Sequence, residues 1–362
     1  MKDVAAEAGV SLKTVSRVVN GEPGVTLVTE QRVRQAIEAL GFRRNDSARL
    51  LRTGQAATIG LVVEDIGDPF YSALMRGVES VARARGSLVL LGSSEADAGT
   101  EHELALALCA RRVDGLIMIP TSDDHRYLLS EMRAGVSVVF ADRPPGRIAA
   151  DTVLSDNVGG SRQATAHLIA AGHRRIGYLG DSPDIFTARQ RHDGYVKAMT
   201  EAGAPVAQAW TAMGPPTQGR VRTDLEQMLS GVRPVTALVC GNNRVSVLTL
   251  HALAALDVPL AMVGFDDFEL ADLLRVTVVA QDPAELGRQA ATLLFQRMEA
   301  DPAAPRRIVI PTRLVQRGSG ELPPDRNRGT AEGTNGSFKR MDLNLFPERS
   351  RLTVARPGRA SA

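Results

Sequence analysis

The spacing of apolar positions changes along this chain. Near the start, apolar residues recur in short helical stripes. In "LKTVSRVVN", Val15, Val18 and Val19 fall at i, i+3 and i+4, which is one side of a helix. Ser11 precedes the stripe as a good N-cap, because its hydroxyl can accept from a free amide of the first turn. Asn20-Gly21 ends it, because glycine enters the left-handed region without steric cost. The same logic predicts a helix over 2–8 with Val4, Ala5 and Ala8 inward, and a turn at Gly9-Val10-Ser11. A third helix is expected from about Thr26 to Leu40, with Val33, Ala36, Ile37 and Leu40 inward and Gly41 as its stop. Two short helices joined by a tight glycine-containing turn form the helix-turn-helix pattern.

From Thr58 the period changes. Apolar runs of strand length, 58–63, 87–91, 113–119 and 137–141, alternate with helical stretches. After "HLIAAGHRR" a second series follows at 176–179, 236–240 and 260–265. Short apolar runs alternating with helices mean parallel sheets, and two series mean two similar lobes. Ligands of open α/β sheets bind beyond the carboxyl ends of the strands. Two facing lobes would therefore line a cleft with residues such as Asp142 and Arg143, which follow the 137–141 run. Aspartate can hold paired sugar hydroxyls, and arginine offers a rigid fork of donors. Residues 321–362 are rich in Pro, Gly, Ser, Arg and Asn without a heptad, so a disordered tail is expected.

Composition narrows the function. The chain has 362 residues, 44% apolar and 23% charged, enough for two or three folded domains. Its two cysteines, Cys109 and Cys240, exclude a disulfide framework and read as buried thiols of a reducing compartment. No leader-like segment and no apolar run near 18 residues long is seen, so a cytoplasmic protein without membrane contact is expected. Residues 1–57 carry a net charge of +3 and 321–362 another +3, while the stretch between carries −4. A basic head on an acidic body suggests that the head alone meets a polyanion. In a helix-turn-helix the second helix lies in the major groove. Lys13 and Arg17 could donate to guanine there, and Leu12 could pack on a thymine methyl. No metal spacing, phosphate loop or nucleophile elbow occurs, so no catalytic residue, metal or cofactor is expected. His167 and His173 flank "LIAAG" and read as helix-end structure.

The segment "KDVAAEAGVSLKTVSRVVNGEPGVT" resembles the head of the lactose-repressor (LacI/GalR) family of bacterial transcription regulators. The similarity runs from Lys2 to about Gly318. The family's "VSRVLN" stands here as Val15 to Asn20, and its linker "PNALARSLRTG" as Arg44 to Gly54. The resemblance implies DNA contacts from Leu12, Lys13, Thr14, Ser16, Arg17 and Asn20, and from Asn45, Ala48 and Leu51 of a hinge that folds on operator DNA. Leu51 would wedge into the minor groove, and the small Ala48 would let two hinge helices of a dimer approach. The body would be periplasmic-binding-protein-like, with the chain crossing three times between lobes. Effector contacts would come from Phe70 and Tyr71 in the loop after the first strand, and from Asp142, Arg143, Arg191, Asn242 and Asp266. The family usually has proline where Arg44 stands and aspartate where Asn243 stands.

The expected organisation is an all-α head over 1–43, a hinge over 44–57, an α/β body of doubly wound parallel sheets over 58–320, and a tail over 321–362. Lobe 1 would hold about 58–156 plus 284–301, and lobe 2 about 157–282 plus 303–318. The expected function is a homodimeric repressor that binds double-stranded operator DNA and is switched by a small molecule, a carbohydrate by the residue types. The alternatives are a transport solute-binding protein and an α/β enzyme. The head argues against the first, and the lack of a readable catalytic constellation against the second.

Overall fold

The computed structural model describes residues 1–20, 22–42, 57–299 and 303–324. The head holds α1 (Lys2–Glu7), α2 (Leu12–Asn20) and α3 (Leu27–Ala39). Val4, Ala5, Ala8, Val15, Val33 and Ala36 form its core. Gly9 and Gly41 both take positive φ, at 62° and 57°, where the chain turns out of a helix. Thr26 caps α3 by accepting from the Thr29 amide. One inward expectation fails. Leu40 ends the helix as its C-cap and is 46% exposed, because Phe42 fills the core position instead.

The body begins with β1 (Thr58–Val63), α4 (Pro69–Ala84), β2 (Leu88–Ser93), α5 (Ala98–Ala110), β3 (Gly115–Met118), α6 (Leu129–Arg133), β4 (Ser137–Ala141) and β5 (Asp151–Ser155). It continues with α7 (Asn157–Ala170), β6 (Ile176–Gly180), α8 (Phe186–Glu201), β7 (Thr211–Met213), α9 (Gln218–Ser230), β8 (Ala237–Cys240), α10 (Asn243–Leu256), β9 (Ala261–Phe265) and β10 (Thr277–Ala280). The last elements are α11 (Pro283–Met298), β11 (Arg307–Ile310) and β12 (Arg313–Val315).

Two six-stranded sheets result, in the orders β11-β5-β4-β3-β1-β2 and β12-β10-β9-β8-β6-β7. The two orders are the same pattern repeated, as expected for two similar lobes. All pairings are parallel except β10 with β12. The inner strands are buried along their whole length, save the first residue of β1 and of β4, because helices cover both faces of each sheet.

The chain crosses between lobes at 155–157, 280–283 and 310–313. The third crossing corrects the expectation that lobe 2 resumes at 303. β11 pairs with β5, Arg307 opposite Thr152 through Ile310 opposite Ser155, so 307–310 belong to lobe 1. A short apolar run does not reveal a partner some 150 positions away. The tail boundary also moves. The Thr277 hydroxyl donates to Glu321 at 2.9 Å, and His167 Nε2 lies 2.7 Å from the same carboxylate. His173 Nε2 donates to the Leu322 carbonyl at 2.7 Å. Residues 321–324 are thus fastened to lobe 2, and both histidines serve structure. Cys109 and Cys240 are free and buried.

Each lobe stacks two helices at backbone contact. A Cβ on Gly77 of α4 would overlap the Ala284 carbonyl of α11, and one on Gly287 would overlap the Leu74 carbonyl. In lobe 2, a Cβ on Gly194 of α8 would overlap the Val158 carbonyl of α7.

Candidate DNA-reading head and effector cleft

The second head helix starts as its sequence dictates. The Ser11 hydroxyl accepts from the Thr14 amide at 3.1 Å and lies 2.9 Å from the Thr14 hydroxyl. Leu12, 46% exposed, and Lys13 stand out from the first turn. Ser16 and Arg17 are half-buried, and the Arg17 guanidinium lies across the turn at Gly24. The Asn20 side chain and Asn45, Ala48 and Leu51 lie outside the described residues.

In the body, the strand ends of both lobes converge. Asp142 follows β4 and Asp266 follows β9, the fourth strand of each series. Both adopt left-handed backbone, φ 65° and 68°, and each donates its amide across to the next strand, Asp142 to Val153 and Asp266 to Val279, both at 2.9 Å. A non-glycine residue in that region costs energy and recurs at functional sites. The same turn in both lobes aims two carboxylates into one space.

In lobe 1, Arg143 is buried between carboxylates. It bonds Glu64, lies 3.6 Å from Asp142 Oδ2, and donates to the Pro120 carbonyl at 3.1 Å. The Tyr71 hydroxyl donates to Glu64 at 3.1 Å, and Phe70 packs edge-on to Tyr71. Burial pushes the Tyr71 phenol well up. It also raises the Asp142 carboxyl, against the pull of Arg143 and Arg191. Beneath this loop, the buried Glu101 accepts from the Thr121 amide and lies 2.9 Å from His125 Nε2. His125 Nδ1 in turn donates to the Pro145 carbonyl at 2.9 Å. The Glu101–His125 pair thereby ties together the two loops that hold Arg143.

In lobe 2, Arg191 is pinned by Asn157 Oδ1 at 2.7 Å, the Gly241 carbonyl at 2.8 Å and Asp266 Oδ2 at 3.4 Å. Its guanidinium sits 4.0 Å above the Phe265 ring. Gln281 donates to the other Asp266 oxygen. Asn242 caps α10 by accepting from the Val245 amide at 2.8 Å, and donates to Asp181 at 2.7 Å. The lobes also touch directly. Asn243 donates to Asp68 Oδ1 at 3.1 Å, and Arg244 pairs with Asp65 and, at 3.3 Å, with Asp68.

All seven residues expected to face a ligand, Phe70, Tyr71, Asp142, Arg143, Arg191, Asn242 and Asp266, line this one cleft. Glu64, Asp68, Asp181, Gln281, Asn243 and Arg244 line it too and were missed. Glu64, Asp181 and Gln281 are each the first residue after a strand end, so the strand-end rule applied evenly would have found them once β10 was recognised. Three buried polar atoms of the lining lack a hydrogen-bond partner among the described residues: Asp142 Oδ1, Arg143 Nε and Gln281 Oε1. Trp210 is elsewhere, buried in lobe 2 with its indole donating to the Arg233 carbonyl. Among the described residues there is no cluster suited to a metal ion and no helix long and apolar enough to cross a membrane.

Residues 1–45 match the family described as bacterial regulatory proteins, lacI family, and residues 165–320 match the periplasmic binding protein-like domain. The chain is 33% identical to the HTH-type transcriptional regulator GalS of Salmonella typhimurium, over 82% of this chain and 89% of the relative. It is equally 33% identical to the HTH-type transcriptional regulator CelR of Thermobifida fusca, over 88% of this chain and 97% of the relative. Among solved structures, it resembles a lac repressor dimer bound to operator and the anti-inducer ONPF, with TM-score 0.77 and 25% identity over 88% of this chain and 98% of that one. It also resembles a CelR–cellobiose complex, with TM-score 0.65 and 31% identity over the same shares.

Proposed function

The chain belongs to the lacI family of bacterial regulatory proteins, and from that premise we propose that it is a homodimeric repressor whose operator affinity is switched by a sugar held between its lobes. It is a helix-turn-helix transcriptional regulator, and its relatives carry that name. We read it as a binding protein and not an enzyme. The observation that carries the switch is the facing pair Asp142 and Asp266, one strand end from each lobe in the same left-handed turn.

A ligand held by both carboxylates has different affinity for different lobe arrangements, which is the condition for shifting their populations. Lobe 1 is the lobe that follows the head in the chain, so it is the one whose orientation bears on the head. Coupling of the usual size, about 1–3 kcal/mol, changes operator affinity roughly 5–150-fold. Asp142, Arg143, Tyr71 and Phe70 would meet the sugar from lobe 1, and Arg191, Asn242 and Asp266 from lobe 2. The cellobiose bound by one relative supports a sugar as ligand. Leu12, Lys13, Thr14, Ser16, Arg17 and Asn20 would read the major groove. Asn45, Ala48 and Leu51 would serve a hinge, and 1–43, 44–57 and the body from 58 would act as separate units.

Selection of bound fragments from a random double-stranded DNA library tests this reading. A near-palindromic site is expected, bound by two chains and released or tightened by a sugar. Enrichment of no sequence, or of an asymmetric half-site bound by one chain, would overturn it.

A further inference from the structure

Charge divides sugars into free and phosphorylated classes, and the cleft lining discriminates between them. Five carboxylates line it, Glu64, Asp68, Asp142, Asp181 and Asp266, against three guanidiniums, Arg143, Arg191 and Arg244. Every guanidinium is already committed. Arg143 lies between Glu64 and Asp142, Arg191 pairs with Asp266, and Arg244 with Asp65 and Asp68. Asp181 is held by the Asn242 amide and the Ser182 backbone amide, with no arginine paired to it among the described residues. An anion entering here would meet surplus negative charge. It would also have to take an arginine from a buried carboxylate, which then stays uncompensated.

The unpartnered atoms add a requirement for hydroxyl groups. Asp142 Oδ1 and Gln281 Oε1 are buried acceptors, one from each lobe, and need donors. A sugar hydroxyl supplies such a donor whether or not the sugar is phosphorylated, so these atoms call for a polyol, and the surplus negative charge of the lining is what excludes the phosphate. Arg143 Nε, 3.6 Å from Asp142 Oδ2 and without a hydrogen bond, can donate to the oxygen of the same hydroxyl group. Two helix N-termini at the cleft are closed to anions, since Asp68 accepts from the Phe70 amide of α4 and Asn242 caps α10. The third, α8, has no side-chain cap, but it shares the cleft with Asp181.

We infer that the effector is an uncharged polyol, a sugar bearing neither phosphate nor carboxylate, with hydroxyls that donate to Asp142 and Gln281. This rests on the reading of the cleft as the sugar site. The test follows the thermal stability and DNA binding of the full-length protein with cellobiose, maltose, galactose and ribose. The charged arms are glucose 1-phosphate, fructose 1-phosphate, ribose 5-phosphate and inorganic phosphate, each against chloride at matched ionic strength. At least one free sugar should raise Tm and change DNA binding, with the effect lost in Gln281→Ala and Asp142→Asn, while the phosphates match chloride. Glu64→Gln, which releases Arg143 from one carboxylate, should respond to inorganic phosphate several-fold more strongly than wild type. Stabilisation of wild type by a phosphorylated sugar, abolished by Gln281→Ala, would keep the cleft and overturn the charge inference. Stabilisation by a free sugar that both cleft variants retain would instead overturn the cleft reading. No response to any free sugar, with Glu64→Gln also silent toward phosphate, overturns the inference as well.

Discussion

Asn243→Asp changes one atom at the contact between the lobes, and its effect can be worked out from the geometry. The Asn243 amide donates to Asp68 Oδ1 at 3.1 Å. The substitution removes that bond, worth about 0.5–1.5 kcal/mol net. It also places two carboxylates in contact. Coulomb's law at that separation gives about 1 kcal/mol in water and about 5 kcal/mol at an effective dielectric constant of 20. Arg244, 46% exposed, faces Asp68 and offsets much of this, which argues for the lower limit. A total near 2 kcal/mol is expected, acting only on the arrangement in which the lobes touch. Every 1.4 kcal/mol is tenfold, so that arrangement loses population by up to about 30-fold. Apparent sugar affinity falls by the same factor wherever the touching form is the one that binds. Small-angle scattering should show a larger radius of gyration, while Tm changes little because neither lobe core is touched. Adding Asp68→Asn should restore both scattering and affinity, as expected for two groups in contact. Unchanged scattering and sugar affinity in Asn243→Asp would refute the reasoning. The aspartate usual in the family at this position would then have no bearing on how the lobes meet.

Arg191→Ala should abolish the sugar response and also lower stability by about 3–5 kcal/mol, because it strips a buried partner from Asp266; urea unfolding measures this, and Asp266→Ala added to it should recover part of the loss. Arg17→Ala should cost roughly 1–3 kcal/mol of operator discrimination in competition binding, with an unchanged melt; equal affinity for operator and random DNA in wild type would remove its role. Gly287→Ala should destabilise lobe 1 by about 1–3 kcal/mol or more, since the added methyl meets the Leu74 carbonyl and not a movable side chain; thermal melts decide it. Burial lowers the pKa of both His173 and His192, so each favours its neutral form in the folded state. Their contribution is complete above about pH 6.5 and is lost as pH falls through the lowered values, so Tm should drop on acidification toward pH 5. His173→Gln should flatten that dependence, and an equal slope in the variant would assign it elsewhere.

Local patterns alone carried the head and most inner strands. Helical spacing, a serine cap and stop glycines are properties of neighbouring residues, so α2 and the inward face of Val4, Ala5 and Val15 could be read directly. The runs at 58–63 and 137–141 appear as β1 and β4 without change, because a strand covered on both faces must be apolar throughout. Family resemblance added Arg191, whose own stretch "ARQRHDGY" gives no hint of a ligand. What the sequence could not decide was pairing. β5, β7, β10, β11 and β12 are short or polar at their ends, and it is their pairing with neighbouring strands that makes them strands, for β11 with a partner as distant as β5. The third lobe crossing moved for that reason, and so did the tail boundary, which depends on Glu321 finding Thr277 and His167. The charge logic of the cleft is likewise tertiary. Arg143 and Glu64 are 79 positions apart, and Arg191 and Asp266 are 75 apart. Composition counts these charges, but only the fold decides which of them neutralise each other and which buried oxygens remain for a ligand.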